Sequence, residues 1–350
     1  MQYDTTLTRD ELRRTVTAIE PRWGLREAEP TPSEAGHHAL YRVGLDTPEG
    51  TVECYLKATP EGKDATLGLE ARILTILNDR MALPVPEVHG LVERGDGLPT
   101  PAVLLDALPG QAISRTEPSA LTASQHRRVA RDVGRHLATL HAVDAVDSFG
   151  FLQSDGPTLG GERPSGDPEE LSVRDPATDW RALLREWADA ELDGLDDGRF
   201  SELVPAMERT LHERIDGLRG PFDPALARID QSLENLLVDD SRVTGLIDWE
   251  FTMATTPAYD AVHVAASLAG GPFVFAPSVV DRREPVFEGL LDGYGERAAE
   301  HVEQIRANRE CYELLCAVRA MANLADWYGM LGLTDETDGA AAALRREVGD

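Results

Sequence analysis

The spacing of apolar residues divides the chain into a β-rich beginning and a mainly helical remainder. Alternating apolar and polar residues predict a hairpin of two strands, 37–46 and 51–59, joined by the turn sequence TPEG. Four later segments have apolar residues at helical spacing: 64–80, 124–143, 178–194 and 305–331. This order predicts an α+β protein, and 350 residues are enough for about two domain-sized units.

A second hairpin is predicted within the helical part, in the stretch DQSLENLLVDDSRVTGLIDWE. Two short apolar runs, 236–238 and 243–247, flank polar turn residues. If the strands extend through Asn235 and Asp248, the two side chains project from one face, about 7 Å apart along the strand. An Asp and an Asn so placed suit Mg²⁺, and Asp230 nearby is left to act as a base. The alternative is that all three are ordinary turn residues at strand ends.

This segment, followed by TPAYDAV, resembles the catalytic segment of the aminoglycoside phosphotransferase and choline kinase-like family, which has the two-lobed protein-kinase-like fold. The resemblance implies that Asp230 is the catalytic aspartate, that Asn235 and Asp248 bind magnesium, and that Asp260 braces the catalytic loop. The family has a histidine two residues before the catalytic aspartate, where this chain has Arg228. Arg228 would either brace the loop through Asp248 or Asp260, or pair with Asp230 and make it a weaker base.

A kinase of this fold needs a lysine on a strand of the N-terminal lobe to contact the ATP phosphates. The chain has 34 basic residues but only two lysines, Lys57 and Lys63. Strand alternation directs Lys57 away from the apolar face of 51–59. A solvated strand lysine is the alternative, but retention of lysine in an arginine-rich chain favours a site that arginine cannot fill.

The same fold needs a helix carboxylate to hold that lysine. Glu70 falls on the leucine stripe of the predicted helix 64–80, three residues after Leu67 and four before Leu74. A buried carboxylate requires a cationic partner, and Lys57 on the preceding strand is the candidate. The alternative places Glu70 at the edge of the stripe, in contact with water.

Two further segments are candidates for contacts with ATP. Gly36, between two predicted strands, would let the backbone approach the phosphates, although a single glycine is also an ordinary turn residue. The run PAVLLDALPG predicts a strand that ends in a hinge, where the backbone around Leu105 to Ala107 would bind adenine.

We therefore expect two lobes: an N-terminal nucleotide-binding lobe at 1–106 and a C-terminal catalytic and acceptor-binding lobe at 107–350. Within the second lobe, the segment at about 153–176 is rich in Gly, Pro and Asp, which predicts a mobile loop.

The composition of the chain indicates in which cellular compartment the protein acts and which classes of partner it can bind. The three cysteines have neither disulfide nor zinc spacing, and the N-terminus lacks the apolar core of a signal peptide, so we expect a cytoplasmic protein. The apolar stretch 261–280 is interrupted by Gly-Gly-Pro, which favours a buried helix ending near Ala269 over a membrane span. An excess of 62 acidic residues over 34 basic ones disfavours nucleic acid binding. It indicates either a cationic partner or, as we favour, adaptation to concentrated salt.

The function predicted from the sequence is Mg²⁺-assisted transfer of the γ-phosphoryl group of ATP to a hydroxyl of a small molecule, by a monomer or dimer. A catalytically silent nucleotide-binding protein is the alternative that Arg228 keeps open. A metal-dependent hydrolase using Asp230 and Asp248 is a further alternative, but it leaves Lys57 and Glu70 unexplained.

Overall fold

The computed structural model describes residues 6–31, 38–59, 66–114, 121–195 and 198–349. Gly36 and Lys63 lie outside the described residues. The chain forms two compact units. The first comprises Met1–Pro109 with Leu152–Ser172 and Gly245–Phe251, and the second comprises Gly110–Phe151, Val173–Thr244 and Thr252–Asp350.

The first unit is built on a five-stranded antiparallel sheet with the strand order β1-β2-β3-β5-β4. Its elements are α1 (Arg9–Ile19), β1 (Gly24–Pro30), β2 (Ala39–Thr47), β3 (Gly50–Ala58), α2 (Thr66–Arg80), β4 (Val88–Val92) and β5 (Ala102–Asp106). The predicted hairpin is β2 and β3, and the predicted helix 64–80 is α2. Helix α1 was not predicted, and its Leu12 and Val16 pack into the same apolar cluster as Leu56 of β3.

The segment predicted as a loop, 153–176, includes short regular elements and contacts with distant residues. It contains a 3-10 turn at Pro168–Glu170 and the start of strand β8 (Leu171–Ala177). Arg72, buried on α2, donates to the backbone oxygen of Pro157 over 2.6 Å and forms two hydrogen bonds with Glu93, of 2.9 and 3.0 Å. Because these partners are remote in the sequence, a local count of Gly, Pro and Asp could not reveal them.

The second unit is mainly helical and also contains strands from two small sheets, of order β8-β7-β12-β9 and β11-β10-β6. The remaining strands are β6 (Gln111–Ala112), β7 (Phe149–Ser154), β9 (Ala225–Ala227), β10 (Leu236–Asp239), β11 (Arg242–Leu246) and β12 (Met253–Thr255). The remaining helices are α3 (Ala123–His141), α4 (Trp180–Asp193), α5 (Val204–Asp216), α6 (Pro257–Leu268), α7 (Arg283–Gly295), α8 (Ala299–Ala322), α9 (Leu324–Met330) and α10 (Thr337–Gly349). The α+β architecture with a β-rich N-terminal part is confirmed.

Two helix predictions in this unit have different outcomes. The buried helix predicted to end near Ala269 is α6, which ends at Leu268 and is followed by glycines 270 and 271 with φ of 123° and 55°. The single helix predicted at 305–331 is wrong, because Asn323, with φ −107° and ψ 9°, separates α8 from α9. None of the helices in the described part of the chain is long and apolar enough to cross a membrane.

Helices α3 and α7 approach each other closely because glycines line their contact. A Cβ atom at Gly134 of α3 would lie 2.0 Å from the backbone oxygen of Leu290, and one at Gly293 of α7 would lie 1.8 Å from that of Arg131. Any larger residue would force the helix backbones apart. This packing brings together His141, at the end of α3, and Tyr294, on α7, which contact each other next to the predicted catalytic loop.

We expect Gly293→Ala to destabilise the protein by about 1–3 kcal/mol or more, because the backbone oxygen of Arg131 cannot move aside as a flexible side chain can. Gly329→Ala is the matched control. Gly329 is also helical, on α9, and a Cβ atom there meets nothing within 4 Å. Alanine there should be neutral or stabilise by up to about 1 kcal/mol. Thermal unfolding of both variants tests the expectation, and equal midpoints would show that α3 and α7 are not in close contact.

Candidate active site

In the first unit, Lys57 is the centre of a charged cluster. Its side chain is only 12 % exposed, and Nζ lies 2.9 Å from Oε2 of Glu70, 3.1 Å from Oδ1 of Asp248 and 3.7 Å from Oε2 of Glu250. The ion pair predicted between Lys57 and Glu70 is therefore present. It forms because strand alternation directs Lys57 to the face opposite Cys54 and the helical period of α2 buries Glu70, which is 2 % exposed.

Glu70 also fixes the backbone beside Asp248. While Oε2 accepts from Lys57, Oε1 accepts the backbone N–H of Trp249 over 3.0 Å. Asp248 itself adopts φ +62°, in the left-handed region that non-glycine residues rarely occupy. Such a conformation costs on the order of 1–3 kcal/mol and persists where surrounding contacts enforce it, often at functional sites.

The cluster carries more negative than positive charge. One ammonium faces the three carboxylates of Glu70, Asp248 and Glu250, which gives these four groups a net charge of −2. Burial by itself lowers the pKa of Lys57, but the carboxylates of Glu70, Asp248 and Glu250 outweigh it and raise the pKa above its ordinary value. Lys57 is therefore charged at neutral pH, and the remaining negative charge favours binding of a divalent cation.

Sequence reasoning missed His38 and Glu250. His38, on the segment entering β2, is buried, with Nε2 2.9 Å from Oε2 of Glu250 and Nδ1 2.8 Å from Oγ1 of Thr59. A carboxylate only accepts, so Nε2 carries the hydrogen in this contact. Glu250 could have been found from its place two residues after Asp248. Nothing in the sequence around His38 indicates the contact.

The predicted adenine-binding backbone at Leu105 and Ala107 lies at the end of β5, which is a central strand between β3 and β4. The N–H of Asp106 donates to the backbone oxygen of Glu87 over 2.9 Å, and that of Ala107 lies 3.4 Å from the backbone oxygen of Glu53. The second contact is long for a hydrogen bond, so the N–H of Ala107 is the more easily released of the two.

In the second unit, strand β9 leads directly into the predicted catalytic loop. Ile229 adopts φ +53°, and the N–H of Asp230 points back to the oxygen of Arg228 over 2.6 Å. The side-chain amide nitrogen of Asn235 donates to the backbone oxygen of Asp230 over 3.0 Å, which leaves its amide oxygen as the atom able to ligate a cation. Asp230 is partly exposed.

Asp260, in the first turn of α6, holds this loop. It is fully buried, and its two oxygens accept the backbone N–H groups of Arg228 over 3.0 Å and Ile229 over 2.7 Å. Oδ2 also lies 2.8 Å from Nε2 of His141, whose Nδ1 is 2.9 Å from the hydroxyl of Tyr294. Burial, with a smaller contribution from Asp260, raises the pKa of Tyr294, so its hydroxyl stays protonated and can donate to His141.

Asp260 has a side-chain partner that the sequence did not indicate. Its carboxylate accepts the backbone N–H of Arg228, the residue whose guanidinium the sequence suggested as a partner, and it also lies 2.8 Å from Nε2 of His141. His141 lies 119 positions before Asp260, at the end of a helix with no motif of its own. The Arg228 side chain is itself buried.

The derivation of Asn235 and Asp248 from strand alternation is also corrected. The hairpin is present, but β10 begins at Leu236 and β11 ends at Leu246. Asn235 belongs to a 3-10 turn, Leu233–Asn235, and Asp248 lies beyond the strand end. The period-two rule therefore applies to neither residue, because neither has extended strand geometry within the ladder.

The sequence model of the phosphotransferase enzyme family matches residues 31–307. The chain belongs to this family. The match covers most of the chain and includes every residue of the two clusters described above. No match was found among curated proteins.

Comparison with solved structures identifies the fold of this family member. Aminoglycoside phosphotransferase APH(4)-Ia, in a ternary complex with ADP and hygromycin B, aligns over 96 % of this chain and 98 % of its own, with 16 % identity and a TM-score of 0.60. A putative aminoglycoside phosphotransferase from Ralstonia eutropha JMP134 aligns over 98 % and 99 %, with 13 % identity and a TM-score of 0.62. The gentamicin complex of APH(2")-IIa aligns over 97 % and 96 %, with 13 % identity and a TM-score of 0.55. The protein-kinase-like fold predicted from the resemblance is confirmed.

Proposed function

We propose that this phosphotransferase moves the γ-phosphoryl group of ATP to a hydroxyl group of a small molecule, with Mg²⁺. The observation that carries the proposal is the Lys57 cluster: an ammonium on a side chain that is 12 % exposed is held at 2.9 Å by Glu70 and lies 3.1 Å from Asp248. A fixed cation of this kind suits the phosphates of a nucleotide. Structural relatives with ADP, AMP-PNP and ATP in their complexes support the choice of nucleotide.

The residues present fit a magnesium ion. Carboxylate oxygens are the protein ligands that Mg²⁺ prefers, and the cluster around Lys57 has two negative charges in excess. We propose Asp248 as one ligand and, on the family resemblance, Asn235 as another. When bound, the ion would neutralise phosphate charge and orient the transferred group.

The chain's own residues would perform three tasks. Lys57, oriented by Glu70, binds phosphate oxygens. Asp230, partly exposed on its braced loop, accepts the proton of the acceptor hydroxyl as the new O–P bond forms and the bond to ADP breaks. Asp260 and His141 keep the backbone of the loop fixed. Catalysis by such a site consists mainly of positioning and charge neutralisation.

The acceptor is proposed only as a class. The solved relatives bind hygromycin B, gentamicin or streptomycin, and for this chain we propose a small molecule with a free hydroxyl: an aminoglycoside, an amino alcohol, a sugar or a related metabolite. ADP release from Mg²⁺-ATP, measured against a panel of these compounds at several salt concentrations, tests the proposal. We expect ADP release that depends on one acceptor class and a matching phosphorylated product. ATP binding without any acceptor-dependent ADP release would instead support the silent nucleotide-binding protein.

We expect Lys57→Arg to lower kcat/KM on the order of 10²-fold, because a broad planar guanidinium cannot occupy a position shaped for a compact ammonium among three carboxylates. Arg42→Lys on β2 is the control for a lysine-arginine exchange. Its ion pair with Glu53 is exposed, with 47 % and 55 % of the two side chains accessible, so its loss should matter little. Steady-state ADP release compares the two variants. Equal kcat/KM values for the two variants would show that Lys57 is an ordinary strand lysine with no role in catalysis.

A further inference from the structure

Three side chains with metal-binding atoms converge in the first unit, away from Lys57. They are Cys54 on β3, His89 on β4 and Asp106 on β5, and their ligand atoms all lie within 4.8 Å of one another. We propose that Cys54, His89 and Asp106 form a zinc site that joins the three strands. This proposal is independent of the phosphotransferase function proposed above.

The sheet itself brings the three residues together. Cys54 and Asp106 are directly opposite each other in the pairing of β3 with β5, so their side chains share a face. His89 occupies an irregularity in the β4–β5 pairing, between Val88 and Gly90. A bulge re-aims the side chain at its position, and here Nε2 of His89 lies 2.7 Å from Oδ1 of Asp106.

The site lies on the opposite face of the sheet from the Lys57 cluster. Cys54 alternates with Lys57 and shares its face with Leu56, in the apolar cluster that α1 covers. Trp23 packs edge-on against the His89 ring, with 4.8 Å between ring centroids. Cys54 is fully buried, whereas the side chains of His89 and Asp106 are 21 % and 42 % exposed, so an ion can enter from the Asp106 side.

The donor set selects the metal. One sulfur, one imidazole nitrogen and one carboxylate oxygen are typical zinc ligands, whereas Mg²⁺ prefers oxygen ligands alone. Tetrahedral zinc with bonds of about 2.0–2.3 Å separates its ligand atoms by about 3.5 Å, with water as the fourth ligand. The His89–Asp106 pair, now at 2.7 Å, would therefore open slightly, and the thiol, which lies within 4.8 Å of both ligand atoms, would adjust to a similar separation.

Proton release accompanies binding. Burial, assisted by the charge of Asp106, raises the pKa of the Cys54 thiol to about 12. The thiol must lose its proton to the solvent when sulfur binds zinc, and the proton on Nε2 of His89 must leave or transfer to Nδ1. Loss of the thiol proton makes zinc binding tighter as pH rises.

Cobalt provides the direct test, because Co²⁺ bound to thiolate gives a sulfur-to-cobalt charge-transfer band in the near ultraviolet. The full-length protein, first treated with a chelator, is titrated with Co²⁺ and then with Zn²⁺ in excess Mg²⁺. We expect one Co²⁺ per chain with the band, displacement by one Zn²⁺, and a higher thermal midpoint with zinc. Absence of the band in the parent protein would overturn the proposal.

Three variants locate the ligands. Cys54→Ser should abolish the band, and Cys311→Ser should keep it, since Cys311 is also a buried free thiol but lies in the second unit. Because Cys54→Ser could fail to fold, Asp106→Asn, at a partly exposed position, should fold and weaken zinc affinity at least tenfold. Retention of the band in folded Cys54→Ser, or of parental affinity in Asp106→Asn, would overturn the site.

Discussion

Asp230→Asn is expected to lower kcat by about 10²- to 10⁴-fold, the usual contribution of a positioned general base, while ATP affinity stays close to that of the parent. An amide has the shape of the carboxylate but cannot take the proton of the acceptor hydroxyl. Acceptor-dependent ADP release gives kcat, and calorimetric titration with Mg²⁺-ATP gives the affinity. The backbone N–H of Asp230 points to the oxygen of Arg228, and its backbone oxygen accepts from Asn235; the substitution leaves both of these groups in place.

Asp240→Asn is the matched control for this experiment. Asp240 is exposed in the turn between β10 and β11 with φ +43°, a conformation that asparagine also tolerates, so its kcat should match that of the parent. Asp248→Asn should differ from both, because loss of a proposed magnesium ligand weakens Mg²⁺-ATP binding as well as turnover. If Asp230→Asn kept the kcat of the parent, the general base would have to be another residue.

The second large effect is expected on stability. Asp260→Ala removes an acceptor that is fully buried and that serves two backbone N–H groups and Nε2 of His141. Loss of one partner from a buried charged contact costs about 3–5 kcal/mol, because the remaining groups stay buried without compensation. The thermal midpoint should fall, and activity should fall with it because Arg228 and Ile229, which lead directly into Asp230, lose their support.

Asp292→Ala serves as the comparison for this variant. Asp292 pairs with Arg127 at 2.8 Å, but their side chains are 46 % and 55 % exposed, and surface ion pairs contribute only about 0–1 kcal/mol. Thermal unfolding and ADP release measured on the same preparations separate the two cases. An Asp260→Ala variant as stable as Asp292→Ala would show that the carboxylate does not hold the loop.

The Lys57–Glu70 pair shows which parts of the site could be predicted locally. Alternation along a strand and the 3.6-residue period of a helix determine on which face each side chain lies, and the cost of burying a lone carboxylate requires a nearby cation. Both arguments use only neighbouring residues, and the two partners are 13 positions apart. The α+β class followed in the same way from the order of strand and helix patterns.

The positions of Asn235 and Asp248 show where local patterns fail. A 3-10 turn and a residue at φ +62° leave no periodic signal, so the strand rule was applied beyond the ends of the strands. Ile229 is similar, since its φ of +53° is imposed by the loop and by Asp260 rather than favoured by isoleucine.

The sequence by itself determined the family, through the spacing of Asp230, Asn235 and Asp248. It also determined the β-rich beginning, the helical remainder and the Lys57–Glu70 ion pair. Only the tertiary structure decided that His141 supports Asp260, that His38 contacts Glu250, and that Cys54, His89 and Asp106 converge. The physical reason is separation along the chain. A periodic pattern specifies the face of an element, but contacts across 119 or 212 residues depend on how whole elements pack against one another.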